Sequence, residues 1–280
     1  MNLALHSLYA PPWWLALILS AVTAVISKLN RWLTLNGAVS AAIMGGLVYS
    51  IGGWPAISPI LFFFLSCSIL SSISRRKIQK PLDRNGRNGY QVLANGGVPL
   101  LFIFLHLYAR IHWPLYKLPA IQLLFLSSIA AVNADTWGTE IGIISGQTPR
   151  SLRTWKPVNP GTSGAISAAG TLGSFLGALV IPLVMWPIWK LNAAEALLVT
   201  WAGFMGSGID SILGAGLQAS YSDSRTGSRS ETPTSPDGKP NCLISGFRWM
   251  TNDVVNFLAG AGGAASAYLI IHYYASILFP

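Results

Sequence analysis

Eight apolar runs, divided by polar or glycine-containing breaks, dominate this chain of 280 residues. A helix needs about 20 apolar residues to cross about 30 Å of hydrocarbon, and inside lipid every backbone polar group must be satisfied within the protein. A chain that repeats such runs therefore folds as a bundle of membrane-spanning helices. The runs lie at about 11–27, 36–53, 54–74, 97–108, 119–144, 164–189, 194–218 and 253–278. The fourth is short, and part of it is expected at the interface. The expected class is an all-α integral membrane protein, a single polytopic domain of about eight transmembrane helices. Residues 220–251, rich in Ser, Thr, Pro and Gly, are expected as a polar loop without a domain of their own. Only 10% of the residues are charged, against about 25% in soluble domains, which excludes an ordinary soluble enzyme.

The charges are also unevenly placed. There are 18 Lys and Arg against 9 Asp and Glu, a net charge of +9. No aromatic residues alternate with the basic ones as a base-stacking platform requires, so nucleic acid is not an expected partner. Across eight spans, one side carries Lys28, Arg31, Arg75, Arg76, Lys77, Lys80, Arg84, Arg87, Arg150, Arg153, Lys156, Arg225, Arg229, Lys239 and Arg248. Only Arg110, Lys117 and Lys190 fall on the other. Short Lys- and Arg-rich loops stay cytoplasmic, so the basic side is expected inside and both termini outside. Residues 1–27 contain no Lys or Arg, so the first run lacks the basic start of a cleavable signal peptide and is kept as a span. Residues 36–53 and 163–180 share Gly37/Gly164, Ala38/Ala165, Ser40/Ser167, Ala41/Ala168, Ala42/Ala169 and Gly46/Gly173. A parallel duplication or shared small-residue packing accounts equally for that match.

Ionisable residues within spans are costly and mark sites. Asp135 and Glu140 lie in NADTWGTEIG, Asp210 in GSGIDSILGA, and Asp253 in TNDVVN. All four fall near the basic ends of three spans. They are the candidate catalytic residues and metal ligands. Carboxylates and amides without His or Cys suit Mg²⁺, which takes hard oxygen ligands together with phosphate oxygens. On the same side, Arg153, Lys156 and the turn Gly161, Thr162, Ser163, Gly164 lead into the sixth run, whose helix start is expected to offer amides to an anion. Arg87, Asn95, Asn252 and Asn256 complete the candidate binding set. Other roles are open for some of these residues. Asp253 after Thr251 and Asn252 suits a helix cap, Asp135 could tie helices together, and Arg75 to Lys77 could anchor a helix end. Glu195 is expected to compensate a helix dipole. The four His form no cluster, and Cys67 and Cys242 form neither a metal spacing nor a disulfide framework. GxxxxGK[ST], HExxH and GxSxG are absent. The residues Gly246 to Trp249 are expected to return from the polar loop to the site.

QVLANGG, NADTWGTEIG, the basic stretch into PGTSGAIS, GSGIDSILGAGLQ and SGFRWMTNDVVN occur in that order. From about Gly37 to Asn256 the chain thereby resembles the transmembrane protein 19 family, which includes the plant and cyanobacterial phytyl-phosphate kinases. The resemblance implies a multi-pass membrane protein that, in plant members, phosphorylates phytyl phosphate to the diphosphate with a nucleoside triphosphate. Its motif positions carry onto Asn95, Asp135, Glu140, Lys156, Gly161, Asp210, Asn252, Asp253 and Asn256. The expected function is a membrane-embedded kinase for phytyl or a related prenyl monophosphate, using Mg²⁺ and CTP or ATP. A transporter or flippase of a phosphorylated lipid or other anion is the alternative. No Ser- and Arg-rich extension precedes the first run, and a bacterial plasma membrane is the expected location.

Overall fold

The computed structural model describes residues 12–78, 86–114 and 118–278. Lys80, Arg84 and Lys117 of the charge count lie outside the described residues. The helices are α1 (Trp13–Leu29), α2 (Leu35–Ile78), α3 (Gly89–His112), α4 (Leu118–Ser145), α5 (Ala168–Trp189), α6 (Ala193–Gly216) and α7 (Asn252–Leu278). Among the described residues, six are long and apolar enough to cross a membrane. The shorter α1 has 17 residues.

The 44 residues of α2 would make a straight rod of about 66 Å, twice the hydrocarbon thickness. At Gly53 the backbone takes φ 64 and ψ −158, a region open essentially to glycine alone. The chain doubles back there. A Cβ on Gly45 would lie 3.8 Å from Ile57 Cδ1, whereas a straight helix separates those positions by about 18 Å. The limbs 35–52 and 54–78 are the second and third apolar runs, which brings the helical limbs to eight.

Two boundaries differ from the sequence expectation. The short fourth run belongs to a 24-residue helix, α3, that begins in polar sequence at a capping box. There Asn88 and Gln91 satisfy each other's backbone amides, so the helix starts eight residues before its apolar run. The sixth helix begins at Ala168 rather than 164, because residues 165–166 pair as a strand. That pair is β1 (Arg150–Ser151) with β2 (Ala165–Ile166), antiparallel. Residues 163–167 are thus turn and strand where the aligned residues 36–40 are helical. The polar loop is also more ordered than expected. It folds as a three-stranded antiparallel sheet of β3 (Ser220–Ser222), β4 (Arg229–Ser230) and β5 (Cys242–Ser245), in the order β4-β3-β5.

The core surrounds α4, which packs against α2, α3, α5, α6 and α7. Phe125, Leu126 and Ile129 are at most 2% exposed. Small residues permit this crowding. A Cβ on Gly206 of α6 would come within 2.5 Å of Ala131 Cβ, and one on Gly263 of α7 within 2.6 Å of the same atom. Asn133, fully buried, donates to Gly177 O at 2.7 Å and accepts from Ser66 Oγ at 3.3 Å. It joins α4 to α5 and to the second limb of α2. The connections at 30–34, 86–88, 146–167 and 217–251 gather at one end of the bundle, linked by Thr34 N to Arg87 O, Lys77 Nζ to Ile144 O, and Ser163 Oγ to Gln218 Oε1. This is the basic end.

Candidate functional site

At the basic end, α4, α5, α6 and the turn at 160–164 enclose a cavity of about 420 Å³. Gly138 of α4 lies so close to α5 that a Cβ would meet Ser174 Oγ at 2.0 Å, and this approach sets one wall. Asp135 of α4 and Asp210 of α6 meet side chain to side chain in it. Two ionised carboxylates repel, so such a contact requires a proton or a cation. Asp210 Oδ2 is closed off from solvent and has no hydrogen-bond partner. An orphaned buried oxygen of this kind is costly unless something fills its place.

The PGTSG turn closes the mouth. Gly161 and Gly164 have φ of 80 and 69. A Cβ on Gly164 would lie 2.2 Å from Ala215 N, so only glycine allows the turn to rest on the end of α6. Ser163 Oγ donates to Gln218 Oε1 at 2.7 Å. The Ser163 amide, expected to face a phosphate, donates to the carboxylate of Glu231. Glu231 comes from the polar loop and lines the same cavity. Glu231 is exposed as a residue, but the protein crowded around its carboxyl raises its pKa above the ordinary glutamate range, although the Ser163 amide and Arg229 pull the other way. Sequence reasoning missed Glu231. Its surroundings, SETPT, carry no motif, and its position follows from a loop fold that polar composition concealed.

The remaining candidates divide. Thr162 and Asn252 line the cavity with Gly161, Ser163 and Gly164. Arg153 and Lys156 are exposed and do not; no Lys or Arg is among the lining residues. The α5 amides expected for an anion are occupied: Gly170 N donates to the Ser167 Oγ cap at 3.1 Å and Ala169 N to Gln147 Oε1 at 3.0 Å. Glu140 leaves the group because five helical positions place it about 140° around α4 from Asp135. It accepts from Ser71 Oγ at 2.5 Å and from Ser74 Oγ, and Arg87 Nη2 donates to the same Ser71 at 3.5 Å. Arg87 and Asn95 line a separate, largely apolar crevice of about 180 Å³ between α1, α2 and α3. Asp253 sits half-buried in the first turn of α7, outside both cavities, and the helix is capped by Thr251 Oγ1 from Val254 N at 3.4 Å. Asn256 is one turn further along α7, also outside both. Gly246 and Phe247 return to Leu217 and Gln218 at the end of α6, not to the cavity. The expected four-acid convergence is therefore replaced by Asp135 and Asp210 with Glu231 at the mouth. Among the described residues no group of three or more His, Cys, Asp and Glu is assembled as a metal cage.

Comparison with known proteins agrees with the fold. The chain is 32% identical over 201 residues to an uncharacterized membrane protein of Methanocaldococcus jannaschii, covering 71% of this chain and 81% of that one. It is 29% identical over 267 residues to Protein PGR of Arabidopsis thaliana, covering 87% and 91%. It is 25% identical over 242 residues to the chloroplastic Protein VTE6 of Arabidopsis thaliana, covering 85% and 65%. No solved structure matches it. The family model described as "Integral membrane protein DUF92" matches residues 18–264, and the chain belongs to that family of multi-pass integral membrane proteins.

Proposed function

We propose that this protein is a lipid-phosphate kinase, transferring a phosphoryl group from a nucleoside triphosphate to phytyl or a related isoprenoid monophosphate. The observation that carries the reading is the Asp135–Asp210 contact, with its orphaned Oδ2, inside a cavity at one end of membrane-spanning helices. The family resemblance read from the motifs supports the same chemistry.

The donor set fits a hard divalent cation. It is all oxygen, and Mg²⁺ is commonly held by one or two carboxylates with phosphates and water completing its shell. Asp135 and Asp210 would hold the ion, which when bound neutralises charge on the phosphates. With no Lys or Arg among the described lining residues, the cation would supply the positive charge that draws an anion in. Asn252 supplies side-chain amide donors that would orient phosphate oxygens, because the donors of Ser163 and Thr162 are already taken by Gln218, Glu231 and Asn159. The acceptor is already a phosphate, so its attacking oxygen is ionised and no general base is required. What these residues contribute is alignment and charge neutralisation. We assign the basic end to the cytoplasm from the distribution of Lys and Arg, and a bacterial plasma membrane as the location.

The test uses purified protein in lipid nanodiscs with MgATP or MgCTP and geranylgeranyl or phytyl monophosphate. Formation of the diphosphate is the expected result. Absence of product with both donors, together with net movement of the lipid phosphate across liposomes without any donor, would replace the kinase with a carrier.

A further inference from the structure

The acid cavity is not closed between α5 and α6. Thr171 of α5 and Gly208 and Ile212 of α6 line it and are also exposed on the bundle's outer surface, so it opens sideways between these two helices. Gly208 has no contact that explains it. Unlike Gly206 and Gly214 on the same helix, a Cβ there meets no atom within 4 Å. Glycine weakens a helix relative to alanine, and in membranes it is normally retained where backbones touch. At Gly208 no neighbouring backbone or side chain accounts for it. Below the opening Phe175, Trp201 and Phe204 meet edge to face, with ring centroids 5.8 to 6.1 Å apart, and seal α5 against α6. The opening therefore lies within about three turns of the basic end.

We infer that the hydrocarbon chain of the phosphorylated acceptor leaves the acid cavity sideways between α5 and α6, over Gly208, and lies in the bilayer. The inference rests on the lipid-phosphate reading above and adds how the substrate is selected. The occupant is one chain of an amphiphilic monophosphate. Its phosphate reaches the Asp135–Asp210 pair, and the aperture beside that pair faces lipid rather than water. The apolar crevice bearing Arg87 cannot serve the same molecule, because α4 separates it from the acids. A chain that lies in lipid is not measured by the protein, so recognition falls on the phosphate and the first isoprene unit. Chain length beyond that is tolerated.

Two measurements test this. The first is photolabelling in nanodiscs with a geranylgeranyl phosphate analogue bearing a diazirine on its first isoprene unit. Labelled peptides from residues 171–175 and 204–212 are expected. Label confined to α1 and the limbs of α2, or no label on α5 and α6, overturns the inference whether or not the protein is a kinase. The second is steady-state kinetics. Farnesyl and geranylgeranyl phosphates should give KM values within about threefold of each other. Gly208→Phe should raise both by about tenfold while leaving the KM for nucleotide unchanged. Gly216→Phe, at a glycine equally free of neighbours but outside the cavity, should change neither. An unaltered lipid KM in Gly208→Phe overturns the path over Gly208. A wild-type protein that is labelled on α5 and α6 but forms no diphosphate retains the path and loses the kinase reading.

Discussion

Asp135 and Asp210 are ordinary acids in an unusual position, each on a different helix and in contact inside a membrane bundle. The sequence made both legible, because an acid in an apolar run has few structural excuses. It misread Glu140 as their partner, since proximity in sequence ignores the angle around the helix, and Ser71 and Ser74 supply that acid with partners of its own. Glu231 illustrates the opposite error, a site residue hidden in a loop. Its pKa is raised where the loop rests against the turn, so docking favours the protonated carboxyl. Docking is then strongest below the ordinary glutamate range, near pH 4.3, and weakens as pH rises through the raised value. Tryptic cleavage at Arg225 and Arg229, normalised to Glu231→Gln at each pH, should accelerate from pH 4 towards pH 8. A ratio that stays flat would contradict the docking.

At the scale of elements, apolar length located every helix, while the ends were set by chemistry that apolar length does not record. The Asn88–Gln91 box lengthened α3, and the β1–β2 pairing shortened α5. The turn at Gly53 was invisible as a fold feature, yet two adjacent runs without a polar connection required one. Gly53→Ala forces a Cβ into a left-handed backbone and should cost about 1–3 kcal/mol, read as a lower midpoint for thermal unfolding in detergent. An unchanged midpoint would mean that the hairpin relaxes without loss. Gly206→Leu is a harsher change, because even its Cβ would meet Ala131 Cβ at 2.5 Å and Ala259 O at 2.8 Å. It should separate α6 from α4 and α7 and sharply reduce the yield of folded protein, whereas Gly216→Leu should not. Equal yields would argue against the close packing of these helices.

For the whole molecule, 15 of 18 basic residues on one side foretold that the polar connections share one end, and they do. The bilayer links the placement of charge to the placement of polar connections. The chemistry at that end was legible only in part. Residue types indicated oxygen ligands and phosphate, but which acids meet depends on three helices packed around α4. The central claim is that Asp135 and Asp210 act together on phosphate through a divalent cation. Its most direct measurement is the rate of diphosphate formation by Asp135→Asn and Asp210→Asn in nanodiscs across a Mg²⁺ titration, alongside Glu140→Gln. The account predicts a loss of at least about a hundredfold in each Asp variant, thermal unfolding like wild type, and a far smaller effect of Glu140→Gln. Full activity of either Asp variant, at unchanged Mg²⁺ dependence, would contradict it.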